Sequence, residues 1–365
     1  MKILITGAGG FLGWHLRCRL HALHDHEVVA VDRSTMADLG ELVRGVDAVI
    51  HVAGVNRADD DEMVNGNVEL ARTVAAALRA GGVRPRLVFA NSIQAGNGSA
   101  YGAGKQQAAE ILTDLATELG VDFVDVLLPN LFGEHGRPGY NSFVATFCHE
   151  VAAGREPPAN DNAVELLHVQ DASQALIEAL SGPSRTVRPT GEQRGVVEVL
   201  KLLQAFDALY RTGEIPDLDS AFTTNLFNTY RAAAFEQRGP ITFEKRSDPR
   251  GSLVEAVKVH GGGGQTFFST TVPGVTRGEH FHLHKIERFV VIGGQARIQL
   301  RKLFTDEVLD FDVTGDEPTA IDMPTMWPHN ITNTGDGELL TLFWTDSVFD
   351  PDHPDTYPER VEITQ

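Results

Sequence analysis

Hydrophobic and polar positions follow two rhythms along the chain, and the change between them falls near residue 240. Before it, short apolar runs alternate with stretches of helical period. Residues 2–6, 28–32, 48–52, 86–90 and 121–127 are runs of apolar and β-branched residues bounded by turn signals, which suits strands buried on both faces. Stretches 11–23, 62–80, 102–119, 143–153, 172–180 and 196–212 carry the helical period, and 223–235 reads as one more helix, ended by Gly239-Pro240. Strands alternating with helices predict a doubly wound parallel α/β sheet. After residue 240 the runs shorten and alternate, as at 266–272, 288–292, 296–300 and 339–344, with Gly, Pro and Asp turns between them. That pattern predicts an all-β barrel or sandwich. The expected domains are therefore 1–240 and 241–365. Gly261–Gly264 reads as a turn, since no helix follows it.

At ~150 residues per domain, 365 residues suffice for two. The net charge of −19, with no basic stripe, argues against a nucleic-acid partner. The two cysteines, Cys18 and Cys148, each fall in a helical pattern, so buried free thiols and a reducing compartment are expected rather than a disulfide. Met1-Lys2 leads directly into a strand, and no apolar run approaches ~18 residues. No membrane partner is expected, and the predicted location is cytoplasmic.

Gly7-Ala8-Gly9-Gly10-Phe11-Leu12-Gly13 stands between the first strand and the first helix. Glycines there allow a tight turn and close backbone approach to a pyrophosphate, which the helix N-terminus attracts. Asp32 ends the next strand, 19 residues beyond Gly13. It can accept hydrogen bonds from a ribose 2′-hydroxyl, favouring NAD. Arg33 beside it can pair with a 2′-phosphate, favouring NADP. The residues leave that choice open.

Tyr101 and Lys105 lie at i and i+4 on one helical face, and Ser92 ends the fourth strand nine residues before Tyr101. A phenol can protonate a carbonyl oxygen as hydride arrives, a neighbouring ammonium lowers the phenol pKa, and a serine hydroxyl polarises the carbonyl. These residues resemble the extended short-chain dehydrogenase/reductase family, a Rossmann-like fold. His51-Val52-Ala53-Gly54 is similar to that family's third-strand segment, Pro129-Asn130-Leu131-Phe132-Gly133 to its P-N-x-[YF]-G segment, and His168-Val169-Gln170-Asp171 to its H-V-x-D segment. The resemblance implies Ser92, Tyr101 and Lys105 as catalytic residues. It implies Gly7, Gly10, Phe11, Leu12, Gly13, Asp32, Arg33, Ala53, Lys105 and Pro129 as dinucleotide contacts, and Asn130 as a contact to a nucleotide sugar. Leu127 departs from the family, which often has Arg there.

In the second domain, Gly274 is followed by His280-Phe281-His282, Glu287 and Gly294, and then by Pro324, Met326, His329 and Asn333. Three imidazoles and a carboxylate suit Zn²⁺, Fe²⁺ or Mn²⁺, and His280 and His282 share one face of a strand. Both spacings resemble the two motifs of the cupin superfamily, with Met326 where that motif has Gly. The resemblance implies a cupin barrel with a metal, Zn²⁺ first, on His280, His282, Glu287 and His329. His284 and Lys285 flank these ligands as candidate proton carriers or solvent-facing groups. Asp248-Pro249-Arg250-Gly251-Ser252-Leu253-Val254-Glu255 resembles the entry of sugar-nucleotide epimerase cupins, which implies Arg250 as a substrate contact. The alternative is a hairpin with a surface ion pair.

Reductase followed by cupin, with segments such as Asn91–Ala95 and Phe349–Tyr357, resembles the bifunctional capsular-polysaccharide enzymes of the CapF type. That family implies a UDP-linked 2-acetamido-2,6-dideoxy-4-hexulose, inverted at C3 by the cupin and reduced at C4 with NADP(H), NAD(H) remaining possible. It also implies a homodimer. The alternatives are a single-activity reductase whose cupin serves structure or dimerisation, and a non-catalytic dinucleotide sensor, which an intact Ser92/Tyr101/Lys105 set opposes.

Overall fold

The computed structural model describes residues 1–363. It forms two compact units, Met1–Phe143 with Asn162–Gly195, and Val144–Asp161 with Val196–Gln365.

The first unit holds strands β1 (Lys2–Thr6), β2 (Glu27–Val31), β3 (Ala48–His51), β4 (Arg86–Ser92), β5 (Phe123–Leu128), β6 (Asn130–Phe132), β7 (Ala163–His168), β8 (Arg185–Val187) and β9 (Glu192–Gly195). Its helices are α1 (Phe11–Leu23), α2 (Leu39–Leu42), α3 (Asp60–Gly81), α4 (Ala100–Leu119) and α6 (Val169–Glu178), while α5 (Phe143–Ala152) leads into the other unit. Six strands form one parallel sheet in the order β2-β1-β3-β4-β5-β8. Side chains alternate across each strand. Leu4, Val49, Leu87 and Phe89 enter one core with Val74, Leu78, Leu112 and Leu115 of α3 and α4. Ile3, Ile5, Ile50, Val88 and Val126 enter the other with Leu16 of α1 and Leu176 of α6. Helices thus cover both faces, which is why these strands read as continuous apolar runs. A small sheet, β6-β7-β9, completes the unit.

The second unit holds α7 (Val196–Tyr210), β10 (Glu214–Ile215), α8 (Ala221–Arg238), β11 (Ile241–Thr242), β12 (Arg246–Asp248), β13 (Gly251–Leu253), β14 (Lys258–Val259), β15 (Gln265–Thr271), β16 (Thr276–Phe281), β17 (Glu287–Gly293), β18 (Gln295–Arg301), β19 (Val308–Thr314), β20 (Thr319–Asp322), β21 (His329–Asn333), β22 (Leu339–Thr345) and β23 (Tyr357–Pro358). Two five-stranded antiparallel sheets, β11-β20-β17-β22-β15 and β19-β18-β21-β16-β23, make up most of it. Phe289, Ile298, Leu300, Ile331 and Phe343 lie in their common core with Phe235 of α8.

The change of rhythm coincides with β11 at Ile241, yet packing groups 196–240 and 144–161 with the sheets rather than with the parallel domain. Buried polar contacts give the reason. Tyr210 donates to Asp322 Oδ2 at 2.8 Å, Arg288 forks onto the same carboxylate at 2.7 and 2.8 Å, and Arg231 donates to Met323 O at 3.0 Å. Helices α7 and α8 therefore complete hydrogen bonds that the sheets leave open. Cys18 and Cys148 are buried and free. Among the described residues, no helix is long and apolar enough to cross a membrane.

Candidate active site and candidate metal centre

The Gly-rich turn is shaped for close approach. Gly7 has φ +71, and a Cβ there would stand 2.7 Å from Ala53 N. A Cβ on Gly13 would stand 2.2 Å from Gly7 O. Gly10 opens α1 without a side-chain cap, so the first N–H groups of the helix suit an anionic ligand. Ala53 follows β3, and its N–H donates to Thr6 Oγ1 at 3.3 Å. This cradle fits a pyrophosphate. Asp32 follows β2, and its Oδ1 accepts from the Ser34 hydroxyl at 2.7 Å and the Ser34 N–H at 2.8 Å. Those bonds hold its carboxyl below the usual range. Arg33 beside it is exposed.

Ser92 ends β4 at the same edge of the parallel sheet as the Gly-rich turn, because β1 and β4 point the same way. Ser99 caps α4 by accepting from Gly102 N at 3.0 Å. A Cβ on Gly102 would stand 2.3 Å from Gln94 O, so the first turn of α4 presses on the loop after β4. Tyr101 is thereby brought beside Ser92, whose hydroxyl acts on the phenol. One turn on, Lys105 donates to Ala90 O at 2.6 Å and lies 4.1 Å from the Phe89 ring centroid. Burial lowers its pKa to about 7, against the pull of Asp125.

One expectation is corrected here. The ammonium does not lower the Tyr101 phenol. Burial raises it, with the Ser92 hydroxyl pulling the other way, while Lys105 is turned to Ala90 O. Tyr101 is thus held protonated, the form that donates.

Several supporting residues escaped the sequence reading. Asn67 accepts from Val55 N at 3.2 Å and donates to Val55 O at 2.7 Å, fixing the segment after β3. Asn91 accepts from Ser92 N at 2.8 Å. Glu134, directly after Pro129–Gly133, lies 3.2 Å from His168 Nε2, and its carbonyl lies 2.8 Å from His15 Nε2. Burial works against the Glu134 carboxylate, but the hydrogen bond and charge of His168 prevail and lower its pKa. This pair joins two segments that the sequence shows only separately. Pro129 is buried, whereas Asn130 is exposed and its amide reaches Glu165 O at 3.4 Å.

In the second unit, His280 and His282 bracket the end of β16, Glu287 opens β17 and His329 opens β21. A bulge at Glu279, φ 61, shifts the register so that His280 faces His329 across the strands. One ligand atom from each of the four residues lies within 4.8 Å of the others. Glu287 Oε2 is 3.0 Å from His282 Nε2, 3.3 Å from His329 Nε2 and 3.9 Å from His280 Nε2. Nδ1 of His282 lies 2.5 Å from Asp355 O, and Nδ1 of His329 lies 3.0 Å from Trp327 O. Donating Nδ1–H to a carbonyl leaves each Nε2 lone pair for a metal. Burial lowers His329 to about 4, keeping it neutral. For Glu287 burial works upward, but the three imidazoles gathered around it outweigh burial and hold its carboxyl well below the usual range. The donor set and its orientation fit a divalent ion.

Met326 has φ 61 and is fully buried, which explains why the motif resembled has Gly there. Arg250 lies on the exposed β12–β13 hairpin, forked onto Asp248. Among the described residues, that carboxylate is its partner, and no hydrogen bond joins it to the metal quartet.

A Gly-rich βα turn and a Ser–Tyr–Lys set at one edge of a parallel sheet define a nicotinamide oxidoreductase of the short-chain type. Residues 3–190 match the model of the NAD dependent epimerase/dehydratase family, and the chain belongs to that family. Residues 246–357 match the polysaccharide biosynthesis C-terminal domain. The UDP-2-acetamido-2,6-beta-L-arabino-hexul-4-ose reductase of Pseudomonas aeruginosa is 35% identical over 98% of both chains. The crystal structure of the capsular polysaccharide assembling protein CapF from Staphylococcus aureus covers 99% of this chain and 100% of its own, at 33% identity and TM-score 0.64. The UDP-N-acetylglucosamine 4-epimerase of Bacillus cereus, 19% identical with TM-score 0.52 over 66% of this chain and 97% of its own, shares the fold. The chain is an enzyme with a reductase active site.

Proposed function

We propose that this enzyme reduces the C4 ketone of a UDP-linked 2-acetamido-2,6-dideoxy-4-hexulose, after its own β-rich unit, a cupin, has inverted C3. The product is then UDP-2-acetamido-2,6-dideoxy-L-talose, on the way to N-acetyl-L-fucosamine in a surface polysaccharide. The similarity to the Pseudomonas reductase over 98% of the chain supports the substrate class. The observation that carries the reductase reading is the protonated Tyr101 held beside Ser92, with Lys105 buried one turn away. Ser92 and Tyr101 hold the ketone oxygen, and Tyr101 gives it a proton. The bound nicotinamide supplies the hydride. NADPH is the preferred form in this reading. Asp32 has one oxygen committed to its own turn, and the exposed Arg33 offers a cation for a 2′-phosphate.

His280, His282, Glu287 and His329 would hold the divalent ion, Zn²⁺ by its donor set. When bound, such an ion polarises a carbonyl and stabilises an adjacent enolate. A 4-ketone already acidifies the proton on C3, so the two activities use the same functional group of one sugar. A cytoplasmic homodimer is the expected form.

Solvent exchange separates the activities. In D₂O without NADPH, the wild-type protein should introduce deuterium at C3 of the keto sugar, as read by NMR. Tyr101→Phe should retain that exchange while its reduction rate falls by ~10²–10⁴. Reduction without C3 exchange would leave a single-activity reductase. Undiminished reduction in Tyr101→Phe would remove Tyr101 from the mechanism.

A further inference from the structure

The segment Phe349–Tyr357 is the part of the chain that neither the dinucleotide site nor the four metal ligands account for. Its end folds back over the ligand strand. Tyr357 and Pro358 form β23 and pair with Phe281 and His280. Just before them, Asp355 adopts φ 42, in the left-handed region that Asp tolerates better than most residues. In that position it acts twice on the metal loop.

Its carbonyl oxygen lies 2.5 Å from Nδ1 of His282. Its carboxylate accepts three consecutive backbone N–H groups of the loop between ligands: Leu283 at 3.0 Å, His284 at 2.9 Å and Lys285 at 2.7 Å. The next N–H, of Ile286, donates to Asp346 at 3.0 Å. Four successive amides between His282 and Glu287 are therefore held by two carboxylates. The Lys285 ammonium donates to Pro354 O at 2.7 Å and Thr356 Oγ1 at 3.1 Å. That engagement turns a candidate proton carrier into a second latch.

We propose that Asp355 is the positioning residue of the metal centre. It fixes His282 in the Nδ1–H tautomer, and by capturing the 283–285 amides it sets the separation of His282 from Glu287. The inference rests on the reading of His280, His282, Glu287 and His329 as a metal site. A ligand imidazole that could spin or change tautomer would present Nε2 to the ion only part of the time. Outer partners of this kind typically contribute ~10–100-fold in metal affinity.

The test uses the full chain and Zn²⁺ in competition with a chromogenic chelator. Asp355→Gly relieves the positive φ and removes only the side chain. It should weaken Zn²⁺ by ~10–100-fold and speed hydrogen exchange of the 283–285 amides. Asp355→Asn, with one acceptor oxygen left, should fall between it and wild type. Asp352→Asn, on the exposed part of the same segment, should match wild type. In ¹⁵N NMR of metal-free protein, His282 should give the single Nδ1–H tautomer in wild type and a mixture in Asp355→Gly, a change that lower stability alone would not produce. Wild-type affinity, amide protection and tautomer in both Asp355 variants would overturn the inference and leave the metal site standing. A wild-type protein that takes up no Zn²⁺ would overturn the metal site, and the inference with it.

Discussion

Lys105 shows how much of this site is set by the surroundings of single residues. It is 3% exposed, and the Asp125 carboxylate pulls its pKa upward against burial. Its pKa of about 7 in the fold compares with 10.5 for an unperturbed lysine. Below pH 7 both the folded and unfolded chains carry the proton, so the fold bears the whole cost of burying the charge. Above pH 10.5 neither carries it and the cost vanishes, so this group makes stability rise with pH between those values. Lys105→Met should therefore melt above wild type near pH 7, by several degrees, with the gap closing as the pH approaches 10. Melting curves across that range would check it, and a gap independent of pH would mean that Lys105 is not buried as described. Met326 carries a cost of another kind. A buried non-glycine at φ 61 holds ~1–3 kcal/mol of backbone strain, which its full burial offsets.

At the level of elements, the Gly-rich turn works because two backbones meet there. A Cβ on Gly13 would meet Gly7 O at 2.2 Å, and neither group can move without unseating α1. On Gly10 the same oxygen would be 3.2 Å away, a contact that small shifts relieve. Gly13→Ala should weaken dinucleotide binding by about tenfold or more, ~1.4 kcal/mol upward, and Gly10→Ala should weaken it less. Fluorescence titration with NADPH and NADH would rank them. The long elements were legible because their apolar period is strong: β1 to β5 and the helices α1, α3, α4, α5, α6 and α7 fall within a few residues of expectation. The short strands β6, β8 and β9 were not, since three or four residues such as Arg185–Val187 carry too little pattern. The candidate metal ligands stood out by their spacing, and His280 and His282 were read on a strand, but β21 was not, because His329 and Asn330 interrupt the apolar alternation. Asp355 and Glu134 could be placed only in three dimensions. Each acts on residues distant in sequence, with no local spacing to betray it.

For the molecule as a whole, the proposed epimerase and reductase activities should be separable by point changes rather than by a cut. His280→Ala combined with His329→Ala should abolish C3 exchange, while NADPH titration and the circular dichroism of the protein stay near wild type, because every residue of the reductase set lies in the other unit. Full exchange in that double variant would place the epimerase elsewhere. A truncation at residue 240 would not make the same distinction. It would strip α7 and α8 from the sheets and leave Tyr210 and Arg231 without Asp322 and Met323. The discontinuous make-up of each unit also gives the nascent chain a timetable. Residues 144–161 leave the ribosome before the first unit is complete, but their packing partners begin at Val196 and run to the C-terminus. At ~5–20 residues per second, that segment waits about 10–40 s for them. Buried residues such as Val144, Phe147 and Val151 are uncovered throughout that interval, so synthesis rate and chaperone supply should govern yield more than the stability of the finished fold does.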